Sequence, residues 1–122
     1  MLNILLIEDS EDDAFLLDRA FNREGINSSF RRVHNGVQAI SYLEGEGDYA
    51  NRINSPFPGV IFTDLQMPEM DGFAVLHWLK THPKCSVLPV MVFSSSNNDS
   101  DIEKSYRLGA NAYLVKPSSL AE

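Results

Sequence analysis

Four short apolar runs constrain the fold of this chain more than any other feature of its sequence. Each run is nearly continuous rather than alternating, which is typical of strands buried on both faces of a parallel sheet. The runs are NILLI (residues 3–7), VIFT (60–63), VMVF (90–93) and AYLV (112–115). A weaker strand candidate, SSFRRV, follows the first run, and in it Arg31 and Arg32 interrupt any clean alternation.

Segments with helical spacing separate these runs. Their apolar residues recur every three or four positions, so that they line one face of a helix. Ser10 is the predicted N-cap of the first helix, which Gly25 ends. The last helix is predicted to begin with Ser100 and Glu103 in a capping box. The apolar stripes are Ala14, Leu17 and Phe21; Ala39, Ile40 and Leu43; and Phe73, Leu76 and Leu79.

Strand and helix therefore alternate, which favours a doubly wound α/β fold. Right-handed crossovers place the loops after all the parallel strands at one edge of the sheet, where such folds bind their ligands. Side chains directly after the apolar runs are therefore the functional candidates. Asp12 and Asp13 fall in the first turn of a predicted helix instead, and we assign them to favourable placement near the helix dipole.

Two segments are less regular. The polar stretch EGEGDYANRINSPFPG (44–59) is long for a connection in a compact domain, and we expect an extended loop. At the other end only five residues, SSLAE, follow Pro117, too few for the helix that would cover the last strand. We expect one domain over residues 1–122, with its last helix missing or truncated.

The composition argues against several functional classes. A net charge of −7 would repel a phosphate backbone, so we expect no direct binding to nucleic acid. A single cysteine excludes an internal disulfide and is typical of a reducing compartment, so we expect a cytoplasmic protein. The apolar runs are shorter than the roughly 18 residues of a membrane span, and we expect no membrane association.

Polar and charged side chains directly follow the four strong runs. Glu8 and Asp9 follow the first run, Asp64 the second, Ser94 the third and Lys116 the fourth. Each of them alone is common in a loop or a turn, but all of them fall at the same predicted edge. Crowded carboxylates favour a bound cation, and we expect Mg²⁺, which takes one or two carboxylates with water and phosphate oxygens.

This set of side chains suits phosphoryl transfer to a carboxylate. Asp64 would attack phosphorus and form an acyl phosphate. Asp9 and, through water, Glu8 would hold the metal, while Lys116 and Ser94 would bind phosphoryl oxygens. No general base is needed, because the nucleophile is already ionised. The three histidines show no metal-ligand spacing.

The same segments resemble the receiver domain of bacterial two-component response regulators. The resemblance rests on LLIEDS (5–10), TDLQMPEMDGF (63–73), LPVMVFSSS (88–96) and GANAYLVKP (109–117), and it covers nearly the whole chain. It implies a flavodoxin-like five-stranded parallel sheet of order 2-1-3-4-5, as in the chemotaxis receiver. The long loop and the C-terminal segment look most like single-domain receivers that partner bacteriophytochromes.

The resemblance also implies a role for each matching residue. Asp64 matches the phosphorylated aspartate, and Lys116 the lysine beside it. Glu8 and Asp9 match the acidic pair that holds Mg²⁺, and the backbone carbonyl of Gln66 matches a further metal ligand.

Two further matches concern switching. Ser94 matches the switch hydroxyl, and Tyr113 the aromatic residue that moves between exposed and buried positions. The Lys116–Pro117 bond is expected to be cis, as proline permits. The implied phosphodonor is a sensor histidine kinase or a histidine phosphotransfer protein, and the receiver is a phosphoacceptor that switches partner binding, not a turnover enzyme.

Several alternatives stay open. The chain is also consistent with a receiver fragment of a hybrid kinase or transcription factor. An aspartyl-phosphate hydrolase would need a second acid two residues after the nucleophile, where Gln66 stands. A flavodoxin relative would need a phosphate-binding loop in place of the acidic EDSEDD. An uncovered apolar flank near Leu114 and Leu120 would favour a homodimer.

Overall fold

Strands and helices alternate along the chain, as the apolar runs predict. The computed structural model describes residues 1–117. The strands are β1 (Leu2–Ile7), β2 (Ser28–Val33), β3 (Val60–Thr63), β4 (Val90–Ser94) and β5 (Ala112–Val115). The helices are α1 (Glu11–Arg23), α2 (Gly36–Glu44), α3 (Gly72–Thr81) and α4 (Asp99–Arg107), with a short 3-10 helix at Gly47–Tyr49. The weak candidate SSFRRV is therefore a strand.

The strands form one parallel sheet in the order β2-β1-β3-β4-β5. This confirms the flavodoxin-like fold class and the strand order. In the register of the central pair, Ile7 lies beside Thr63. The residues that follow them, Glu8 and Asp64, therefore leave the sheet side by side.

The sheet is buried on both faces, which explains the continuous apolar runs. One face packs against α2 and α3 through Leu5, Ile7 and Ile61. The other face packs against α1, where Leu17 contacts the cluster formed by Leu6 and Phe62. The alternating side chains of each central strand thus enter opposite halves of the core. The single cysteine, Cys85, is fully buried in the first half.

Side-chain caps begin the helices. The predicted cap of α1 is confirmed, since the Asp13 backbone N–H donates to Ser10 Oγ at 3.2 Å. The predicted cap of α4 is wrong, because that helix begins earlier and Asn98 is its N-cap. Ser100 lies inside the first turn, where its backbone N–H donates to Asn98 Oδ1 at 2.9 Å. An asparagine caps as well as a serine, and here it comes first along the chain.

The connection from α2 to β3 lies within the predicted polar segment 44–59, but Glu44 belongs to α2 and Gly47–Tyr49 forms the short 3-10 helix. Arg52 attaches this connection to the rest of the fold: its Nη1 donates to the backbone carbonyls of Tyr42 (2.8 Å) and Ser55 (3.1 Å). Its Nη2 donates to the carbonyl of Leu43 at 2.8 Å. Arg52 therefore ties the carboxyl end of α2 to the segment that precedes β3.

Two expectations about the C-terminal part of the chain have different outcomes. The expected cis Lys116–Pro117 bond is wrong, since residues 1–117 contain no cis peptide bond. The trans form is the intrinsically preferred one, by about 0.5–1 kcal/mol. The expectation of a missing or truncated last helix, and the part of the apolar flank at Leu120, fall outside the described residues. Within residues 1–117, no helix is long and apolar enough to cross a membrane.

Candidate functional site

The carboxyl ends of four strands bring the predicted residues to one edge of the sheet. Glu8 follows β1, Asp64 follows β3, Ser94 ends β4 and Lys116 follows β5. Their exposed fractions are low, at 1%, 8%, 0% and 8%, respectively. Buried charges are costly unless they are paired, so this edge must contain compensating contacts.

Lys116 provides that compensation. Its Nζ lies 2.8 Å from Glu8 Oε1, 2.8 Å from Asp13 Oδ2 and 2.9 Å from Asp64 Oδ2. Burial alone would lower the pKa of Lys116, but the carboxylates of Asp13, Glu8 and Asp64 more than reverse this and raise the pKa above its ordinary value. Lys116 is therefore protonated, and its ammonium links the carboxylates that follow β1, lie in the first turn of α1 and follow β3.

Asp13 is the site residue that sequence reasoning missed. It lies in the first turn of α1, as predicted, but its carboxylate reaches the sheet edge rather than acting on the helix dipole alone. The available signal was the position of Asp13 in the sequence: α1 begins at Glu11, shortly after β1 ends at Ile7, so its first turn lies near the same edge of the sheet. Asp12, the neighbouring acid, is exposed.

Asp64 is held by its own backbone surroundings. Its Oδ1 accepts hydrogen bonds from the N–H of Leu65 at 2.7 Å and, more weakly, of Gln66 at 3.4 Å. Its Oδ2 accepts from Lys116. The start of α3 packs directly on this residue, since a Cβ on Gly72 would lie 2.2 Å from the Asp64 carbonyl oxygen. The N–H groups and Lys116 thus orient the carboxylate, while α3 packs against the backbone of the same residue.

The buried carboxylate of Glu8 has fewer compensating hydrogen bonds than that of Asp64. Its Oε2 accepts from the Ser10 N–H at 3.1 Å. Its Oε1 is close to Lys116 but makes no hydrogen bond of good geometry, and burial raises the pKa of this carboxyl group. Asp9 is exposed beside it. Arg32 Nη1 donates to the backbone carbonyls of Glu8 (3.0 Å) and Asp9 (3.4 Å), which holds the acidic loop in place.

The chemistry of these donors suits a hard divalent cation. Among residues 1–117, three carboxylates surround the Lys116 ammonium, and no hydrogen-bond donor reaches the buried Glu8 Oε1. Within residues 1–117, however, no group of three or more Asp, Glu, His or Cys side chains is arranged to hold a metal ion as it stands. Glu8 and Asp64 both turn towards Lys116 instead. A cation here would rely on fewer carboxylates, with water and a backbone carbonyl such as that of Gln66.

Ser94 and Tyr113 both form hydrogen bonds with the backbone of Ser96. The backbone N–H of Ser96 donates to Ser94 Oγ at 3.2 Å, and the Tyr113 hydroxyl donates to the Ser96 carbonyl at 2.7 Å. The Ser96 hydroxyl in turn donates to Asp101 Oδ2 at 2.7 Å, which ties the loop to α4. A movement of Ser94 would therefore act on the residue that holds Tyr113.

Comparison with known families agrees with this geometry. The family model described as the response regulator receiver domain matches residues 4–122. The chain belongs to the response regulator receiver family. It is thus a signalling module of two-component systems, as its motifs imply.

One relative of this receiver domain is similar in both sequence and structure. Response regulator Rcp1 of a Synechocystis species is 35% identical over 119 residues, covering 98% of this chain and 79% of the relative. Its Mn²⁺-bound crystal structure matches with a TM-score of 0.87 over 99% of this chain and 85% of that one, at 35% identity.

Two other solved structures are similar to this receiver. Response regulator RPA3017, in red light signalling of R. palustris, has a TM-score of 0.88 and 34% identity, covering 99% of this chain and 85% of that one. The phosphorylated cyanobacterial phytochrome response regulator RcpA has a TM-score of 0.87 and 36% identity, covering 98% and 84%.

Proposed function

We propose that this receiver accepts a phosphoryl group on Asp64 from a sensor histidine kinase or a histidine phosphotransfer protein. The observation that carries the proposal is the fixed Asp64 carboxylate, held between two backbone N–H groups and the Lys116 ammonium. Among the relatives, RcpA is described as phosphorylated. We further propose that the protein is cytoplasmic, that residues 1–122 act as one domain, and that it is a phosphoacceptor rather than a turnover enzyme.

The transfer needs little covalent assistance. A carboxylate oxygen of Asp64 forms a bond to phosphorus while the P–N bond to the donor imidazole breaks. The bonding electron pair leaves with the imidazole, which takes a proton from water. Lys116 pairs with the negative charge on a phosphoryl oxygen, and the Ser94 hydroxyl donates to another.

A divalent cation would complete the site. Asp9, Asp64 and the backbone carbonyl of Gln66 would hold it, with Glu8 acting through water. When bound, Mg²⁺ neutralises charge on the phosphoryl oxygens. Mg²⁺ is our choice because it takes few carboxylates and keeps several waters, and the Mn²⁺-bound Rcp1 supports a divalent ion in a relative.

We propose that Ser96 transmits the effect of phosphorylation from Ser94 to Tyr113. If the Ser94 hydroxyl turns to the phosphoryl oxygen, it gives up the Ser96 N–H, and the same residue holds the Tyr113 hydroxyl. Release of Tyr113 then alters the surface formed by α4 and β5. A shift of a few kcal/mol between two such arrangements changes partner affinity substantially.

The predicted homodimer stays a prediction. Leu114 on β5 is 42% exposed, which is compatible with an uncovered apolar flank. The other residue of that prediction, Leu120, lies outside the described residues.

The test is intact-mass measurement after incubation with acetyl phosphate or phosphoramidate and Mg²⁺. We expect the wild type to gain the mass of one phosphoryl group and Asp64→Asn to gain none. Asp48→Asn, a matched loss of charge in the exposed loop, serves as the control and should behave as the wild type. A gain that survives in Asp64→Asn would place the acceptor elsewhere, and a catalytic release of phosphate in many turnovers would favour the hydrolase.

A further inference from the structure

We propose that Asp13 is a positioning residue for Lys116, fixing the direction in which the ammonium points during phosphoryl transfer. The proposal rests on the phosphorylation of Asp64 proposed above. Its structural basis is the contact between Lys116 Nζ and Asp13 Oδ2 at 2.8 Å, which joins residues 103 positions apart in the chain.

The placement of Asp13 is rigid. Its backbone N–H is bound to Ser10 Oγ at the start of α1, and its side chain is only 22% exposed. The Lys116 side chain is 7% exposed, so few waters can replace a lost carboxylate partner. A charge-assisted hydrogen bond between a fixed acid and a buried ammonium is both strong and directional.

The ammonium has three hydrogens, and the structure places three carboxylates around it: Glu8, Asp13 and Asp64. Phosphorylation changes only one of these, because an Asp64 carboxylate oxygen becomes the bridging oxygen of the acyl phosphate and the negative charge then lies on the phosphoryl oxygens. Asp13 keeps one N–H engaged through its hydrogen bond, and Glu8 stays beside the ammonium at 2.8 Å as an ion-pair partner. The N–H that donates to Asp64 in this structure is then left facing residue 64, where the phosphoryl oxygens arrive.

Two simpler roles for Asp13 give different results. A purely electrostatic role would repel the anionic phosphodonor, so removing the charge would speed phosphorylation. A purely stabilising role would change the free energy of unfolding and leave the reaction of the folded protein unchanged. Positioning alone predicts slower phosphorylation in a protein that is still folded.

The experiment compares Asp13→Asn with Asp12→Asn in the wild-type chain. Both variants lose one negative charge in the same helical turn, but Asp12 is exposed and is not one of the three carboxylates around Lys116. With acetyl phosphate and Mg²⁺, we expect Asp13→Asn to slow the initial rate about tenfold, or ~1.4 kcal/mol in the barrier. Asp12→Asn should match or slightly exceed the wild-type rate, and Asp13→Glu should recover part of the loss. Urea unfolding of each variant corrects for any unfolded fraction.

A metal-free readout follows the ammonium directly. In a ¹H–¹⁵N spectrum we expect a slowly exchanging Lys116 Nζ signal in the wild type, assigned by its loss in Lys116→Met, that broadens in Asp13→Asn only. Equal rates and equal Nζ signals in Asp13→Asn and Asp12→Asn would overturn the inference, as would faster phosphorylation of Asp13→Asn. An unphosphorylated wild type would instead overturn the function proposed for Asp64.

Discussion

A cation lies at each end of the parallel strands, and the two cations bind different kinds of acceptor. At the edge where β3 begins, Arg52 donates to three backbone carbonyls and lies over the rings of Tyr42 and Phe57, at 5.9 and 5.8 Å from their centroids. At the edge where β3 ends, Lys116 meets three carboxylates. Arg52 donates hydrogen bonds to backbone carbonyls, which need a donor in any folded structure. Lys116 instead pairs with side-chain carboxylates, which would be solvated if they lay at the surface.

The difference separates a structural edge from a reactive one. Carbonyls at a helix end need a donor, and a positive charge there also favours the helix dipole. Buried carboxylates are a cost in the resting fold, and one ammonium leaves most of their charge uncompensated. In the function proposed above, this excess negative charge attracts a cation and supplies the carboxylate that reacts with phosphorus. We therefore expect changes at the Arg52 edge to alter stability alone, and changes at the Lys116 edge to alter both stability and chemistry.

The largest effect is expected for a glycine at the reactive edge. In Gly72→Ala the new Cβ would lie 2.2 Å from the Asp64 carbonyl oxygen and 2.7 Å from Leu65 Cα, so backbone must move. We expect the free energy of unfolding to fall by about 3 kcal/mol or more. The control at the other edge is Gly59→Ala, whose Cβ would make ordinary contact with the Leu2 side chain at 3.4 Å. Urea unfolding of both variants makes the measurement, and equal losses would contradict the close packing at Asp64.

The next effect tests the structural edge. Arg52→Ala removes the donors to the carbonyls of Tyr42, Leu43 and Ser55, and we expect a loss of about 2 kcal/mol in unfolding free energy. Arg52→Lys should recover less than half of it, because an ammonium cannot reproduce the planar fork. The phosphorylation rate of the folded variant should equal that of the wild type. A slower reaction would show that the two edges are coupled.

The smallest effect is a pH dependence at Glu8. Because burial raises its pKa in the folded state, the folded protein holds this proton more tightly than the unfolded chain does. Glu8 therefore favours folding at low pH, and this contribution is lost as the pH rises above the ordinary value of 4.5. Glu8→Gln lacks this titration. In metal-free urea unfolding, we expect the stability of Glu8→Gln relative to the wild type to improve from pH 4.5 to pH 7. A stability difference that stays constant, or a stability of Glu8→Gln that falls relative to the wild type over this range, would be inconsistent with a carboxyl group whose pKa is raised by burial.

The apolar runs were sufficient to predict a parallel sheet and to group most residues of the reactive edge. Strands buried on both faces produce continuous apolar runs, and parallel connections force their carboxyl ends together, so Glu8, Asp64, Ser94 and Lys116 could be grouped without coordinates. Strand order could not be read from the runs, because each looks equally buried. It came from the family resemblance.

The part that was not predictable depends on tertiary geometry. An acid in the first turn of a helix always suits the dipole, so the pattern at Asp13 has one local explanation that is correct but incomplete. Whether its carboxylate also reaches Lys116 depends on how α1 lies over the sheet. The start of α4 is similar: Asn98 and Ser100 are both good caps, and only the path of the loop after β4 decides between them.

The buried position of Cys85 has a practical consequence for following this protein in solution. Burial raises the pKa of the only thiol in the chain, so little of it is the reactive thiolate at neutral pH, and packing shields it from reagents. A second cysteine introduced at an exposed position such as Ser95, next to Ser94, would therefore take up a maleimide dye selectively. One fluorophore per molecule could then report the movement of the β4–α4 loop in real time, with no need to remove the native sulfur first.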